Sequence, residues 1–323
     1  MKILVTGGAG YIGGITATLL CDQEHEVYVL DNLSTGFLVS VPKAAQFVEG
    51  DILNQELVEK VLGTNQIEAV IHFAAKLIVP ESVEKPFEYY ENNVVGGLRL
   101  LEACRKTGVK KIIFSSTAAV YGDPETMPVV ETAPVAPLNP YGASKAMVEQ
   151  FLRDYEKAYG LKYVVLRYFN VAGAMEDLSR GQRTKNATHL IKVASETAAG
   201  KRPTMYIHGT DYKTPDGTGV RDYIHVVDLA QAHLDALAYL NKGGASEVMN
   251  CGYDHGFSVR EVIEKVKSVS QNNFKVIEGP RREGDAETIV ADSSKARRLL
   301  GWRPKYDNLE FICRTAYEWE RKL

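Results

Sequence analysis

Tyr141 and Lys145 lie four residues apart in the segment NPYGASKAMVEQFLRDYEKAYG, residues 139–160. On a helix of 3.6 residues per turn both side chains project to one face. A phenol has an ordinary pKa of about 10, and an ammonium beside it favours the phenolate, so the pair suits general base catalysis. The interval alone is not diagnostic: Tyr163 with Arg167, and Tyr317 with Arg321, repeat it where plain packing is the expectation. Its meaning depends on what else the chain brings to the same place.

Gly7, Gly10 and Gly13 lie in TGGAGYIGG, residues 6–14, between strand-like KILVT and a helix-patterned stretch at 13–23. Such a turn lets a pyrophosphate approach a helix N-terminus with no side chain in the way. Asp31 ends the next strand-like run, EVYVLD, where a carboxylate accepts both ribose hydroxyls of an adenosine and repels a 2′-phosphate. Together they predict a bound dinucleotide, NAD rather than NADP; for Asp31 and Asn32 the plainer alternative is a turn after a strand. Two further strand ends belong to the same crevice. Asp51 in GDI is placed at the adenine amino group, with helix capping an equal alternative, and HFAA brings small residues to the cofactor. His72 reads as a packed histidine.

The elements that must position these groups alternate. KILVT, EVYVLD, AQFVEG, EAVIHFA, KKIIFSS and YVVLRYF are strand candidates, with helix-patterned segments at 13–23, 55–62 and 86–107 between them. Apolar strands separated by helices predict an α/β fold, a doubly wound parallel sheet covered on both faces. After Asn170 the rhythm breaks into Gly- and Pro-rich loops and short helices, expected to form a smaller domain covering a ligand. The expected division is residues 1–170 for the dinucleotide, with part of the sheet completed later in the chain, and 171–323 mainly for substrate.

Composition narrows the partners. The chain has 323 residues, 45% hydrophobic and 24% charged, with a net charge of −3, so no global basic field exists to hold a nucleic acid. Cys21, Cys104, Cys251 and Cys313 have no CxxC spacing, which argues against a structural metal site or a secreted disulfide framework. No long apolar run and no cleavable signal pattern is evident, so the expectation is a cytoplasmic protein with no membrane partner.

TGGAGYIG, DNLSTG, HFAA, YYENNV, FSSTAAVYG, PYGASK, RYFNVAGA, DGTGVRDYIHVVDLA and RREGD together resemble the extended short-chain dehydrogenase/reductase family. RYFN and DGTGVRDYIHV are more particular to its UDP-sugar 4-epimerases. The resemblance spans nearly the whole chain and implies a Rossmann-type domain with a smaller α/β substrate-binding domain, a tightly bound NAD and a UDP-sugar substrate. It implies reversible epimerisation of UDP-galactose and UDP-glucose through a 4-keto sugar, and a homodimer formed through the helices at 86–107 and 141–159. Tyr141, Lys145 and Thr117 are then catalytic. Tyr11, Ile12, Asn32, Ser34, Thr35 and Gly36 join the glycines, Asp31, Asp51 and Ile52 around the cofactor, as do Phe73, Ala74, Ala75, Asn92, Ser115 and Tyr168. Ser116, Phe169, Asn170, His189, Leu190 and Tyr223 fall to the substrate. Arg221 and Arg282 suit its diphosphate, Asp285 its ribose, and the segment of Tyr206, Ile207 and His208 frames the uracil. No metal is implied.

In 4,6-dehydratases of this family an acid pair follows the residue matching Thr117 and eliminates water from the keto sugar. Here Ala118 and Ala119 follow, and two methyl groups cannot transfer a proton. The alternatives are another nucleotide-sugar epimerase (UDP-GlcNAc/GalNAc, UDP-pentose or UDP-uronate), a net oxidoreductase, or an NAD-sensing regulator, which has no need of the Tyr-Lys pair. Several positions depart from the family pattern. Gly14 and Ile15 stand where Ser-His is common, His189 where asparagine is usual, and Lys76 one position early. Ile289 is intermediate between the bulky residue that excludes N-acetyl sugars and the small one that admits them.

Overall fold

The computed structural model describes residues 1–185, 187–282 and 286–323. Its strands are β1 (Lys2–Thr6), β2 (Glu26–Asp31), β3 (Gln46–Glu49), β4 (Ala69–His72), β5 (Lys111–Thr117), β6 (Lys162–Tyr168) and β7 (Asn170–Ala172). There follow β8 (Met205–His208), β9 (Val220–Arg221), β10 (Tyr223–His225), β11 (Glu247–Cys251), β12 (Phe257–Ser258), β13 (Val276–Gly279) and β14 (Thr288–Ile289). The helices are α1 (Tyr11–Asp22), α2 (Gln55–Thr64), α3 (Val79–Glu84), α4 (Pro86–Tyr89), α5 (Gly96–Thr107), α6 (Pro140–Tyr159), α7 (Leu190–Ala198), α8 (Val226–Asn241), α9 (Val259–Ser270), α10 (Ser294–Leu300) and α11 (Leu309–Lys322).

Seven parallel strands make one sheet in the order β11-β6-β5-β4-β1-β2-β3. The direction of winding reverses between β1 and β4, and ligands of open α/β sheets bind beyond the strand C-termini at such a point. Successive side chains on a strand face opposite sides. Ile3, Val5, Val27, Val29, Ile113, Val164 and Leu166 accordingly enter one core, with residues of α1, α8 and α11. Leu4, Tyr28, Leu30, Ile112, Phe114, Tyr163 and Val165 enter the other, with residues of α2, α5 and α6. Burial on both faces explains why these strands read as unbroken apolar runs.

The helix expected at 86–107 is three pieces: α4, a π-helical turn at Tyr90–Val95, and α5. A π turn shifts the register of the side chains that follow it and recurs at functional sites. Here it carries Asn92 and Asn93 toward the sheet edge. Beyond β6 the chain builds short pairings, β7 with β10, β9 between β12 and β14, and β8 with β13, which stand over the strand C-termini. β11 returns from this part of the chain to pair with β6.

Candidate active site

A cleft of about 1460 Å³ runs from the glycine loop to the short sheets. Pockets for drug-sized ligands are typically about 300–1,000 Å³, so this cleft is larger than one such ligand needs.

At one end, Gly7 has φ +74°, and a Cβ there would lie 2.6 Å from the Ala74 nitrogen. The backbone of HFAA therefore closes directly on the loop, with the Phe73 and Ala74 N–H groups both donating to the Thr6 carbonyl. Gly10 caps α1 with no side chain of its own, leaving the first-turn N–H groups facing the cleft beside Tyr11, Ile12 and Gly13. Asp31 accepts the Ala9 N–H at 3.0 Å and the Leu33 N–H at 2.8 Å, one on each oxygen, while burial raises its pKa. Asn32 donates to Asp51 at 2.8 Å, and the second Asp51 oxygen accepts from the Leu53 N–H. Capping of α2 falls to Asn54, which leaves Asp51 at the cleft wall with Ile52, Ser34, Thr35 and Gly36. An anion-accepting helix start with a carboxylate across a glycine cradle fits a dinucleotide.

The two departures in the loop have a local cause. A Cβ on Gly14 would lie 2.8 Å from the Ser40 carbonyl, so glycine there allows the 38–40 turn to close over α1. Ile15 is 1% exposed and packs against Val226 and Ala230 of α8, away from the cleft.

Tyr141 enters from the first turn of α6, which Asn139 caps by accepting the Gly142 N–H at 2.9 Å. Its side chain shares a hydrogen bond with that of Thr117, and burial holds its pKa above the ordinary value. Thr117 also accepts the Ala119 N–H at 3.1 Å. Lys145, expected to favour the Tyr141 phenolate, extends from the next turn of α6. Its ammonium turns inward, donates to the Ser115 carbonyl at 2.9 Å and sits 4.9 Å over the Phe114 ring. Burial pulls its own pKa down to about 7, against the pull of Glu149. Lys145 and Ser115 thus stand one layer behind the cleft wall, Ser115 meeting it through a 2.5 Å hydrogen bond to the Tyr168 hydroxyl.

Ser116 requires a correction. As its neighbours Ser115 and Thr117 face the cleft side of β5, strand alternation turns it to the other side. It is fully buried and donates to Glu149 at 2.7 Å, so it cannot meet a substrate. His72 is a packed histidine: it bonds Thr6 at 2.7 Å, stacks on Phe114, and burial depresses its pKa to about 3. Of the repeated Tyr-to-Arg intervals, Tyr317 and Arg321 meet as packing on α11, whereas Tyr163 and Arg167 lie on strand β6 and Arg167 stacks on Tyr121 instead.

On the far wall stand Phe169, Asn170, His189, Leu190, Tyr206, His208, Arg221, Tyr223 and Arg282. The Arg221 guanidinium is already oriented by the carbonyls of Val220, Ala286 and Glu287. Asn170 reaches the Asp222 carbonyl at 3.4 Å. His189 lies 3.4 Å from Gln182, with its pKa lowered by burial. Arg282 is exposed at the mouth. Asp285 lies outside the described residues. Ala119 lines the cleft, whereas Ile289 packs beside Phe169 and Ala291.

Other groups escaped the motifs. Asn93 accepts the Lys76 N–H, donates to the Lys76 carbonyl and reaches Ser144 on α6. The buried Tyr89 hydroxyl bonds both the N–H and the carbonyl of Ile78. They hold the 76–84 segment against the cleft, and Lys76 pairs with Glu88. A YYENNV motif flags Asn92 but carries no signal for these partners. Among the described residues no His/Cys/Asp/Glu cluster could hold a metal ion, and no helix is long and apolar enough to cross a membrane.

The GDP-mannose 4,6 dehydratase family profile matches residues 4–315. The chain is similar to a UDP-glucose 4-epimerase of Azospirillum brasilense, 52% identical over 322 residues, which cover 100% of this chain and 92% of the relative. It superposes on the crystal structure of the Brucella ovis UDP-glucose 4-epimerase in complex with NAD with a TM-score of 0.96, at 44% identity and covering 99% and 98% of the two chains. It also matches the UDP-Glc/GlcNAc 4-epimerase of Campylobacter jejuni, with a TM-score of 0.88 and 51% identity over 100% of this chain and 99% of the other.

Proposed function

The chain belongs to the UDP-glucose 4-epimerase family of the extended short-chain dehydrogenases/reductases, and from that premise we propose that it interconverts UDP-galactose and UDP-glucose with NAD retained. The observation that carries this reading is the shared cleft: Tyr141 and Thr117 open between the glycine loop and Arg221, and Ala119 stands in the wall beside them. Bound NAD supplies the acceptor for the hydride leaving C4 of the sugar and the donor that returns it. Tyr141 takes the O4 proton at its hydroxyl oxygen, with Thr117 hydrogen-bonded beside it to orient or relay that proton. The keto sugar then meets the Ala119 methyl, which cannot support elimination. After turning over, the ketone would be reduced on its other face while Tyr141 gives the proton back to O4, which would invert C4 with no net redox change.

Turning over requires a firm hold on the nucleotide. Arg221 and Arg282 take the diphosphate, Asn170, His189 and Leu190 the adjoining atoms, and the 206–208 segment the uracil; Asp285 is proposed for the ribose. Asp31, Asp51 and the glycine loop hold the adenosine and pyrophosphate of NAD, and Tyr168 and Ser115 support its nicotinamide end. Residues 1–170 thus serve the cofactor and 171–323 mainly the sugar nucleotide. The exposed apolar side chains Val83, Phe87, Val95, Leu98 and Met147 of the α3–α6 region support a homodimer, testable by sedimentation. Buried Cys104, Cys251 and Cys313, free like Cys21, support a reducing cytoplasmic setting.

The test is incubation of purified protein with UDP-galactose while following UDP-glucose and free NADH. UDP-glucose without stoichiometric NADH supports the reading, whereas accumulating NADH with an oxidised product overturns it. A second reading, acceptance of UDP-N-acetylhexosamines, is favoured by the Campylobacter jejuni relative and by the medium-sized Ile289, and the same assay with UDP-GalNAc decides it.

A further inference from the structure

We propose that Glu149 is a positioning residue for the Tyr141–Lys145 pair, acting through a buried clamp with Ser116 and Arg167 that sets the register of α6 against β5. Ser116 and Arg167 are cross-strand partners in the β5–β6 ladder. Both turn away from the cleft, and both meet one carboxylate. Ser116 donates to Glu149 Oε1 at 2.7 Å, as does Arg167 Nε at 3.0 Å, while an Arg167 terminal nitrogen donates to Oε2 at 2.5 Å. Glu149 and Ser116 are 0% exposed and Arg167 2%. The Arg167 guanidinium is held in turn 4.8 Å over the Tyr121 ring.

The clamp lies directly behind the chemistry. Glu149 follows Lys145 by four residues on α6, one turn on, and Tyr141 precedes Lys145 by the same interval. On β5, Ser116 sits between Ser115, whose carbonyl takes the Lys145 ammonium, and Thr117, which meets the Tyr141 side chain. One carboxylate therefore ties the back of the helix to the residue whose two neighbours receive its front. A slide of α6 by a single residue is 1.5 Å, enough to break both front contacts. A buried ion pair adds little net stability compared with apolar side chains of similar size, so its value here lies in geometry.

This inference rests on the proposed epimerase reading, and the test separates the two. Ser116→Ala removes one arm and leaves the ion pair. The pair Glu149→Leu with Arg167→Met removes the clamp without stranding either member of the ion pair, and it also removes the carboxylate that raises the Lys145 pKa. Each should lower kcat about 10- to 100-fold, leave KM for UDP-galactose within about twofold, and retain NAD. Ser116→Thr should recover most of the rate. A crystal structure of Ser116→Ala should show the Lys145 ammonium displaced from the Ser115 carbonyl. Wild-type kcat with that contact intact in Ser116→Ala overturns the proposal. So does a loss in which kcat, NAD content and thermal stability fall together without recovery in Ser116→Thr. If the wild-type protein has no epimerase activity the functional reading fails instead, and the crystallographic comparison still decides the clamp.

Discussion

The Lys145 ammonium is bonded to the carbonyl of Ser115, 2.9 Å away and thirty residues earlier in the chain. The Tyr141 hydrogen bond runs instead to Thr117. Base and cation share a helix face, but each is anchored on a different residue of β5. Burial raises the Tyr141 pKa while the Thr117 hydrogen bond lowers it, and a positive charge brought by the cofactor would push further toward the phenolate. Chemistry is thereby tied to occupancy of the dinucleotide site.

Tyr141→Phe removes the proton acceptor and keeps the ring that packs in the wall. Turnover of UDP-galactose should fall by roughly 10²–10⁴, the range for loss of a positioned general base, with bound NAD unchanged after denaturing release. Full activity would disprove the assignment.

Lys145 has a folded pKa near 7 against an ordinary value of 10.5. The unfolded chain therefore binds a proton that the folded protein gives up between these values, so this group makes stability rise with pH across that window. Below pH 7 the charged form carries its full burial cost. Lys145→Met should raise Tm at pH 6 by several degrees, lose that advantage near pH 10, and be nearly inactive; thermal melts across the pH series measure all but the last. A Tm gain independent of pH would refute burial of the charge as the cause.

Asp31→Ala deletes the acceptor for the Ala9 and Leu33 N–H groups together with the charge facing the ribose. Hydrogen bonds to charged groups contribute about 1.5–3 kcal/mol, so NAD binding should weaken by roughly 10- to 100-fold while NADP binding weakens less. Calorimetric titration of nucleotide-stripped protein reads the ratio. An unchanged preference for NAD would place the discrimination elsewhere.

Gly14→Ser restores the residue common at this position in relatives and should nonetheless do harm. Its Cβ would stand 2.8 Å from the Ser40 carbonyl, and that backbone must move. A lower Tm and faster loss of NAD on dilution are expected, despite the gain in helix propensity over glycine of about half a kcal/mol. A higher Tm with NAD retained would show that the 38–40 turn yields freely.

Local signals in the chain determined much of this protein. Period and apolarity marked the six strands of its first half, because parallel strands buried on both faces need no polar positions. The glycine loop, Asp31 and the Tyr141–Lys145 interval were legible because each lies within one element or one turn, where spacing is geometry. Ala118 and Ala119 limited the chemistry only through the family resemblance, which says that an acid pair stands there in the 4,6-dehydratases. Tertiary structure decided what lies across elements. The target of Lys145, the inward turn of Ser116 and the meeting of Glu149 with Arg167 depend on which face of β5 receives α6. The π turn that presents Asn93 to Lys76 and Ser144 depends on packing between α4, α5 and α6. Hydrogen bonds between residues 17 to 51 positions apart leave no trace in local spacing, since any polar side chain could serve until the fold selects its neighbour.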